Sequence, residues 1–192
     1  MEIDIIEPGY YYHIYNRGIN RQVIFEEDTH YLKFLSLCKK YLPERADVLA
    51  YCLLPNHFHF LLHIKKYPDR VPGPCQGKES LFLSHLFNSY AQYFNKRMGR
   101  TGSLFQRPFK RKRINDENYL RQVIYYIHRN PLHHNLVAHP GEWIFSSYTA
   151  ILNYLSTFVN KNETLSWFDN RENFLEFHRI QFEIDRQLIL EE

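Results

Sequence analysis

The stretch Leu53-Leu54-Pro55-Asn56-His57-Phe58-His59-Phe60-Leu61-Leu62 joins two apolar runs across a Pro-Asn break. Two β-forming runs with a tight break between them are typical of a hairpin. Side chains two residues apart on a strand point to the same face, so His57 and His59 share one face. Phe58 and Phe60 occupy the other. Two imidazoles held side by side on a rigid element form half of a metal site. On this spacing alone, a metal site and a core strand with structural histidines are equally open.

Hydrophobic periodicity predicts further elements on both sides of this hairpin. Alternation with period two predicts strands, and apolar residues at helical spacing predict helices. The predicted strands are residues 10–16, 46–54, 57–64 and 103–114, and the predicted helices are residues 28–42, 78–98, 116–129 and about 170–190. Pro131 is expected to end the third helix, and the Pro- and Gly-rich residues 67–77 are expected to form a loop. His63 shares the face of His59, so a further metal ligand and a surface histidine at the end of the strand are both open, and the surface histidine is the simpler interpretation.

The order of these elements, β-α-β-β-α-β-α followed by a tail, predicts an α+β fold. It matches the ferredoxin-like βαββαβ core with an antiparallel sheet. We expect the core helices to cover one face of the sheet and to leave the other face free for a ligand or partner. We divide the chain into residues 1–150, which hold this core and the third helix, and residues 151–192, a tail that is expected to be helical.

The composition is typical of a globular protein in a reducing compartment. The 192 residues are 44% hydrophobic and 23% charged. Three scattered cysteines without a CxxC pair indicate buried thiols rather than a disulfide framework or a zinc ribbon. The acidic N-terminus is unlike a signal peptide, and no apolar run approaches the roughly 18 residues that a membrane span needs. We therefore expect a cytoplasmic protein with no membrane partner.

Positive charge is concentrated in one stretch of the chain. Eight of the 24 Lys and Arg residues, and none of the 21 Asp and Glu residues, lie within it. The eight are Lys96, Arg97, Arg100, Arg107, Lys110, Arg111, Lys112 and Arg113. Such a concentration predicts binding to a phosphate backbone, and the interleaved Phe105 and Phe109 are placed to stack on unpaired bases. The alternative is a solvated charged surface with aromatic residues in the core.

The predicted helix 116–129 carries two polar side chains on the flank of its apolar stripe. At about 100° per residue, Tyr126 and Asn130 are neighbours one turn apart, whereas Tyr125 is expected to point to solvent. From the residues alone, the simpler interpretation is that Tyr126 extends the core. Pro131 disfavours helical geometry at the residue before it, which leaves the direction of the Asn130 side chain open.

Four short motifs carry a resemblance to a known family. They are Pro55-Asn56-His57-Phe58-His59, Gly102-Ser103-Leu104-Phe105-Gln106-Arg107, Tyr126-Ile127-His128-Arg129-Asn130-Pro131 and, near the N-terminus, Tyr12-His13-Ile14-Tyr15-Asn16-Arg17-Gly18. In this order and at these separations they resemble the single-tyrosine HUH transposases. The closer resemblance is to the REP-associated branch, which shares the Tyr-Ile-His-x-Asn-Pro signature. The resemblance covers residues from about 8 to 150.

This resemblance implies a role for each residue of the site. A divalent ion, Mg²⁺ or Mn²⁺, would be held by His57, His59 and Asn130, and Tyr126 would be the nucleophile. The insertion-sequence branch typically has Gln where this chain has Asn130, so the ligand arm is shorter here.

The function that the resemblance implies is metal-dependent cleavage and rejoining of single-stranded or hairpin DNA. A metal on the phosphodiester neutralises developing charge, and the attack of a tyrosine, whose ordinary pKa is about 10, gives a 5′-phosphotyrosine and a free 3′-OH. The covalent step conserves the energy of the broken bond, so rejoining needs no ATP. Related proteins act as dimers or as monomers, and a homodimer is open for this chain.

Three other interpretations stay open at this point. One is a non-catalytic protein that binds hairpin DNA or RNA. Another is a metal-dependent hydrolase that uses water, rather than Tyr126, as its nucleophile. The third is a protein whose histidines are purely structural. A covalent protein–DNA adduct that depends on Tyr126 distinguishes the transposase-like function from all three.

Overall fold

The computed structural model of the protein describes residues 4–66, 79–153 and 157–190. The elements of these residues are β1 (Tyr11–Arg17), α1 (Asp28–Tyr41), β2 (Ala46–Leu54), β3 (His57–Ile64), α2 (Leu81–Arg97), β4 (Lys110–Ile114), α3 (Glu117–His133), α4 (Ser147–Leu152), α5 (Lys161–Ser166) and α6 (Arg171–Leu190). The predicted loop 67–77 lies outside the described residues. Within the described part of the chain, every helix is too short or too polar to cross a membrane.

The four strands form one antiparallel sheet in the order β2-β3-β1-β4. β3 lies between β2 and β1, and the helices α1 and α2 make the two long connections. This is the ferredoxin-like βαββαβ arrangement, so the predicted fold class is confirmed. The predicted hairpin is also present, because Leu54 pairs with His57 across the Pro-Asn break.

The face of the sheet opposite His57 and His59 is packed under α1 and α2. The rings of Phe34 in α1 and Phe58 in β3 are fully buried, with their centroids 5.1 Å apart. Tyr90 of α2 packs edge-on against Phe34 at 4.9 Å. Burying each such side chain contributes roughly 1.5–3 kcal/mol. This packing fixes which face of β3 points inward, and so turns the two histidines to the other side.

The second face of the sheet is not free, so this expectation was wrong. α3 packs across β2 and β3, and α4 and α5 pack against β2. The apolar stripe of α3 and the helices of the tail need a surface on which to bury their hydrophobic side chains, and the sheet provides it. Near His57 this cover gives way to a cavity.

α3 begins where a helix cap is expected but ends later than predicted. The Asp116 side chain accepts a hydrogen bond of 2.7 Å from the backbone N–H of Tyr119, as an N-cap does. The helix then runs through Pro131 to His133, so the prediction that Pro131 ends it was wrong. A proline is costly mainly in a helix interior, and this one lies in the last turn. Asn130 therefore has helical geometry and keeps its place one turn after Tyr126.

β4 is shorter than predicted. It spans Lys110–Ile114, whereas the predicted strand began at residue 103. Pro108 cannot donate a hydrogen bond to a neighbouring strand, and the segment before it touches the sheet through a bridge between Phe105 and Gly18. The regular part of the strand is therefore its basic part.

A buried chain of hydrogen bonds ties the tail to the core. His178 of α6 donates from Nδ1 to the carbonyl oxygen of Phe174 at 2.8 Å, so its Nε2 accepts from His128 Nδ1 of α3 at 3.0 Å. His128 Nε2 then accepts from the hydroxyl of Ser147 at 2.8 Å. The Ser147 hydroxyl oxygen in turn accepts a hydrogen bond of 2.8 Å from the backbone N–H of Tyr51 in β2. The helix predicted at about residues 170–190 is thus confirmed as α6, and it is part of the packed structure.

Candidate active site

A cavity of about 390 Å³ lies beside α3, at the end of the sheet where β3 begins. Its lining includes His57 and His59 from β3, and Tyr126 and Asn130 from α3. Two separate elements, joined by the 52 residues 65–116, thus bring the four predicted site residues together. Lys110 of β4 lines the same cavity.

Each histidine of the pair has one ring nitrogen fixed by a neighbouring side chain. His57 Nδ1 lies 2.6 Å from the side-chain oxygen of Asn56, to which it donates its proton. His59 Nδ1 lies 3.0 Å from Nε2 of the buried His13. In each ring the other nitrogen is Nε2. When Nδ1 carries the proton, the lone pair of Nε2 is available to bind a metal. The two rings stand nearly perpendicular, with centroids 5.3 Å apart.

The surroundings keep these histidines neutral. Burial lowers the pKa of His57 to about 4, with further lowering by His134 and Arg17. The pKa of His59 is held well below its ordinary value, first by burial and then by His13. A neutral imidazole is the form that binds a metal, so both rings are ready to bind at pH 7.

Tyr126 and Asn130 face the histidines from α3. The Tyr126 side chain is 43% exposed, and its ring centroid lies 5.5 Å from that of His59. Asn130 is buried and donates from Nδ2 to the carbonyl oxygen of Tyr126 at 2.7 Å, which leaves its side-chain oxygen free for another contact. The Asn130 side chain also contacts His57, and this contact acts to raise the pKa of His57, against the lowering by burial.

Of the two adjacent tyrosines, Tyr126 lies at the cavity, as the resemblance implies, whereas the prediction for Tyr125 was wrong. Tyr126, interpreted as an extension of the core, is exposed at the cavity, whereas Tyr125, expected in solvent, is 5% exposed. The hydroxyl of Tyr125 donates a hydrogen bond to the carboxylate of Asp185 in α6. The expectation failed because α6 covers that side of α3, and nothing near Tyr125 in the sequence indicates this.

The donor set suits a divalent ion. Two neutral imidazole nitrogens and one amide oxygen form a mixed nitrogen and oxygen set, which accommodates Mn²⁺ readily and Mg²⁺ less well, since Mg²⁺ prefers oxygen ligands. The contact of His13 with His59 is of the kind that orients a metal-binding histidine from behind. The residues present therefore fit the implied metal.

A second group of side chains that could hold a metal lies at the far end of β3. Ligand atoms of Asp47, His63 and Glu163 lie within 4.8 Å of one another. Each already has protein partners: Lys65 lies 3.2 Å from Asp47, and the hydroxyl of Tyr11 donates to Glu163 at 2.8 Å. His63 Nδ1 lies 2.8 Å from Glu163, so His63 is half-buried and paired rather than simply exposed at the surface.

The basic residues of β4 divide between the two faces of the sheet. Lys110 and Lys112 point to the α3 side, because they pair with Tyr15 and His13 of β1. Lys112 is exposed, and its Nζ lies over the ring of Tyr119. These two lysines give the cavity side a positive field.

Arg111 and Arg113 lie on the other face and have acidic neighbours from the N-terminus. Arg113 contacts Glu7 at 2.7 Å, and its backbone N–H is bound by the carboxylate of Asp4. Arg111 donates to the carbonyl oxygen of Asp4. The stretch contains no acids of its own, but the fold brings Glu7 and Asp4 to Arg113 and Glu27 to Arg97, so the expectation that compensating acids are absent was wrong.

The remaining predicted basic residues are spread around the α2 end of the molecule. Lys96, Arg97 and Arg107 are exposed, with Arg97 3.6 Å from Glu27. Arg100 binds Asn95, together with Gln22, through its guanidinium group. None of these four lines the 390 Å³ cavity.

Sequence reasoning missed His13, Tyr15, Arg17 and His134, which all contact or flank the histidine pair. Three of them alternate along β1 on the same face. Period-two alternation within the Tyr12–Gly18 motif could have placed them beside His59. His134 stands just beyond α3, 4.9 Å from His57 between ring centroids, and its position depends on the unforeseen extension of the helix.

Comparisons with known proteins agree with this architecture. No protein-family model matches the chain. A curated REP-associated tyrosine transposase of Haemophilus influenzae is 27% identical over 103 residues, which are 53% of this chain and 58% of that protein. The chain thus spans little more than half the length of this relative.

A solved structure of a REP-associated tyrosine transposase bound to a REP hairpin has the same fold, with a TM-score of 0.61 and 19% identity. The match covers 79% of this chain and 84% of that one. The chain resembles the REP-associated tyrosine transposases. The resemblance inferred from the motifs is thereby confirmed.

Proposed function

We propose that this protein is a metal-dependent DNA strand transferase, which cleaves and rejoins single-stranded or hairpin DNA through a 5′-phosphotyrosine at Tyr126. The observation that carries the proposal is the shared cavity: the phenol of Tyr126 stands against two neutral histidines and an amide side chain that fit a divalent ion. One chain contributes every member of this set.

Each residue of the cavity has a task in this reaction. Tyr126 Oη attacks the phosphorus of a phosphodiester, forms the P–O bond to the protein and displaces the 3′-oxygen of the preceding nucleotide. His57, His59 and Asn130 would hold Mg²⁺ or Mn²⁺, and the bound ion would supply positive charge to offset the charge that develops on the phosphate oxygens. A 3′-OH attacks the phosphotyrosine in the reverse step, which restores the strand and frees Tyr126.

The DNA partner is proposed from charge and from the relative. Lys110, Lys112 and Arg17 surround the cavity side of the sheet and would contact phosphates near the scissile bond. The exposed Arg107, Lys96 and Arg97, with Arg100 behind them, would contact phosphates farther along. Hairpin DNA is the favoured form, because the solved relative is bound to a REP hairpin. No second copy is needed to complete the site, and a homodimer is not required by the proposal.

The test is a search for a covalent adduct. The protein is incubated with Mn²⁺ and labelled single-stranded and hairpin oligonucleotides, and the products are separated by denaturing electrophoresis. Tyr126→Phe should abolish the adduct, because only the hydroxyl is removed. Tyr125→Phe is the matched control and should still form it, since the Tyr125 hydroxyl faces Asp185 of α6. An adduct that persists in Tyr126→Phe overturns the proposal.

The same experiment separates the competing functions. Tight hairpin binding without an adduct or strand cleavage at any metal concentration identifies a non-catalytic binding protein. Cleavage with no adduct, and with full activity in Tyr126→Phe, identifies a hydrolase that uses water as its nucleophile.

A further inference from the structure

A single carboxylate of the C-terminal helix holds α3 at two points. Asp185 Oδ2 accepts a hydrogen bond from the Tyr125 hydroxyl. The same oxygen lies 2.7 Å from Arg129 Nε. Tyr125 and Arg129 are one turn apart, so both arms reach Asp185 from one side of α3.

The two arms stand directly beside the two site residues of α3. Tyr125 precedes Tyr126, and Arg129 precedes Asn130, in each case by one residue. A rotation of α3 about its axis that moves one pair therefore moves the other pair by the same angle. Asp185 is thus placed to set the direction in which both Tyr126 and Asn130 point.

Small rotations of this helix matter for the site. Side-chain ends lie about 5–6 Å from a helix axis, so a turn of about 10° displaces them by about 1 Å. A misplacement of about 1 Å in a reacting group costs on the order of 10²-fold in rate. Tyr126 is exposed and open to a cavity on each side, so it has little packing of its own to resist such a turn.

The attachment of α6 to α3 has other contacts that would survive the loss of Asp185. The ring of Phe182 packs against Tyr125 at 5.1 Å, and His178 is hydrogen-bonded to His128 at 3.0 Å. Removal of the carboxylate therefore releases Tyr125 and Arg129 from their shared partner without detaching α6.

We infer that Asp185 is a positioning residue, which uses Tyr125 and Arg129 to hold Tyr126 and Asn130 against the histidine pair of the same chain. The catalytic part of this inference rests on the proposed function. The metal-binding part does not, because Asn130 is a proposed ligand whether or not DNA is cleaved.

The test compares Asp185→Ala, Asp185→Asn and Tyr125→Phe with the control Glu183→Ala. Glu183 lies on the same helix, is exposed and pairs with Arg179 at 2.6 Å, so its loss changes the surface charge without touching α3. Three quantities are measured for each full-length variant: Mn²⁺ affinity without DNA, hairpin affinity, and the rate of adduct formation at saturating hairpin. Thermal unfolding identifies any variant that fails to fold, and Tyr125→Phe, which removes one arm, then takes its place.

We expect Asp185→Ala to weaken Mn²⁺ binding about 10-fold and to slow adduct formation on the order of 10²-fold, with hairpin affinity changed less than about 2-fold. Asp185→Asn keeps an acceptor for Tyr125 but loses the charge, so its losses should be intermediate. Tyr125→Phe should form the adduct about 10-fold more slowly, and Glu183→Ala should match the unmodified protein.

Unchanged Mn²⁺ affinity and adduct rate in a folded Asp185→Ala protein overturn the inference and leave the proposed function intact. Failure of the unmodified protein to form any adduct overturns the proposed function alone, since Mn²⁺ affinity still decides the role of Asp185.

Discussion

The two ends of β3 carry histidines on the same face of the same strand, and they are used in opposite ways. At the N-terminal end, His57 and His59 have their Nδ1 atoms fixed by the neutral side chains of Asn56 and His13. At the C-terminal end, His63 lies 2.8 Å from a carboxylate of Glu163. We call these the cavity end and the paired end of β3.

The partner of each histidine decides whether its ring can bind a metal or instead attaches another element to the sheet. At the cavity end a neutral partner orients the ring and leaves the second nitrogen beside open space. At the paired end the carboxylate of Glu163 engages His63 and ties α5 to the sheet through Tyr11. The local charge differs as well, since Arg17 and Lys110 attract phosphates at one end, while acidic groups repel them at the other.

The strongest test of this contrast is to remove one histidine from each end. His59→Ala should lose Mn²⁺ binding and slow adduct formation on the order of 10²–10³-fold, because an electrostatic stabiliser of the reacting phosphate is lost. His63→Ala should keep both. Titration calorimetry with Mn²⁺ and the adduct assay decide the matter. Loss of Mn²⁺ binding in His63→Ala alone would place the metal at the paired end.

The next largest effect is expected when the contact between His13 and His59 is removed. His13→Phe keeps an aromatic ring at this position but removes the 3.0 Å contact with His59 Nδ1. Mn²⁺ affinity should fall about 10–100-fold, as is usual when an outer partner of a metal ligand is lost. Hairpin affinity in EDTA should be unchanged. An unaltered Mn²⁺ affinity would mean that His59 needs no partner to be oriented.

The buried pair His128 and His178 extends the comparison to histidines that face no cavity. Burial lowers the pKa of His178 from about 6.5 to about 4, so the unfolded chain binds a proton that the folded chain refuses. Stability is therefore full above pH 6.5 and falls as the pH drops toward 4, by about 2 kcal/mol at pH 5 from this group. Urea unfolding in EDTA at pH 7 and pH 5 should show this loss, and it should be smaller in His178→Gln. An identical loss in that variant would contradict the assignment.

The paired end should matter for stability and not for chemistry. Glu163 accepts hydrogen bonds from Tyr11 and from Asn160. Glu163→Gln keeps the shape but loses the charge opposite His63, and it should lower the free energy of unfolding by about 1–2 kcal/mol. The adduct rate should stay within about 2-fold. A large fall in that rate in a folded protein would show that the two ends are coupled.

The smallest effect is expected when a single positive charge is removed at either end of β3. Lys110→Ala should weaken hairpin binding a few-fold and reduce the slope of log affinity against log salt by about one. Lys65→Ala removes a cation beside Asp47 at the paired end, and its salt slope should equal that of the unmodified protein. Fluorescence anisotropy over a range of salt concentrations measures both. Equal slopes for the two variants would mean that DNA does not follow the cavity end.

The sequence predicted what depends on local pattern. Alternation placed His57 and His59 on one face, and the order of the elements led to the ferredoxin-like sheet. Helical spacing put Tyr126 and Asn130 side by side. These features survive because each depends on residues within one element.

What the sequence did not predict depends on contacts between distant segments. Tyr125 is buried by a helix whose contacting residue, Asp185, is 60 positions away. Arg113 meets Glu7 across 106 positions, so the charge of the basic stretch could not be judged from the stretch itself. Neither partner is signalled by spacing, because both follow from how the termini pack.

The edge position of β4 and its lysines affect the solubility of the protein. β4 is an edge strand of the sheet that the described residues form, and the edge of a sheet is a template on which another chain can add a strand. Exposed lysines at Lys110 and Lys112 disfavour such pairing, because two like-charged edges repel each other. The same side chains that would meet DNA therefore also keep the protein from aggregating, and a variant that replaces both with valine should aggregate at concentrations where the single variants stay in solution.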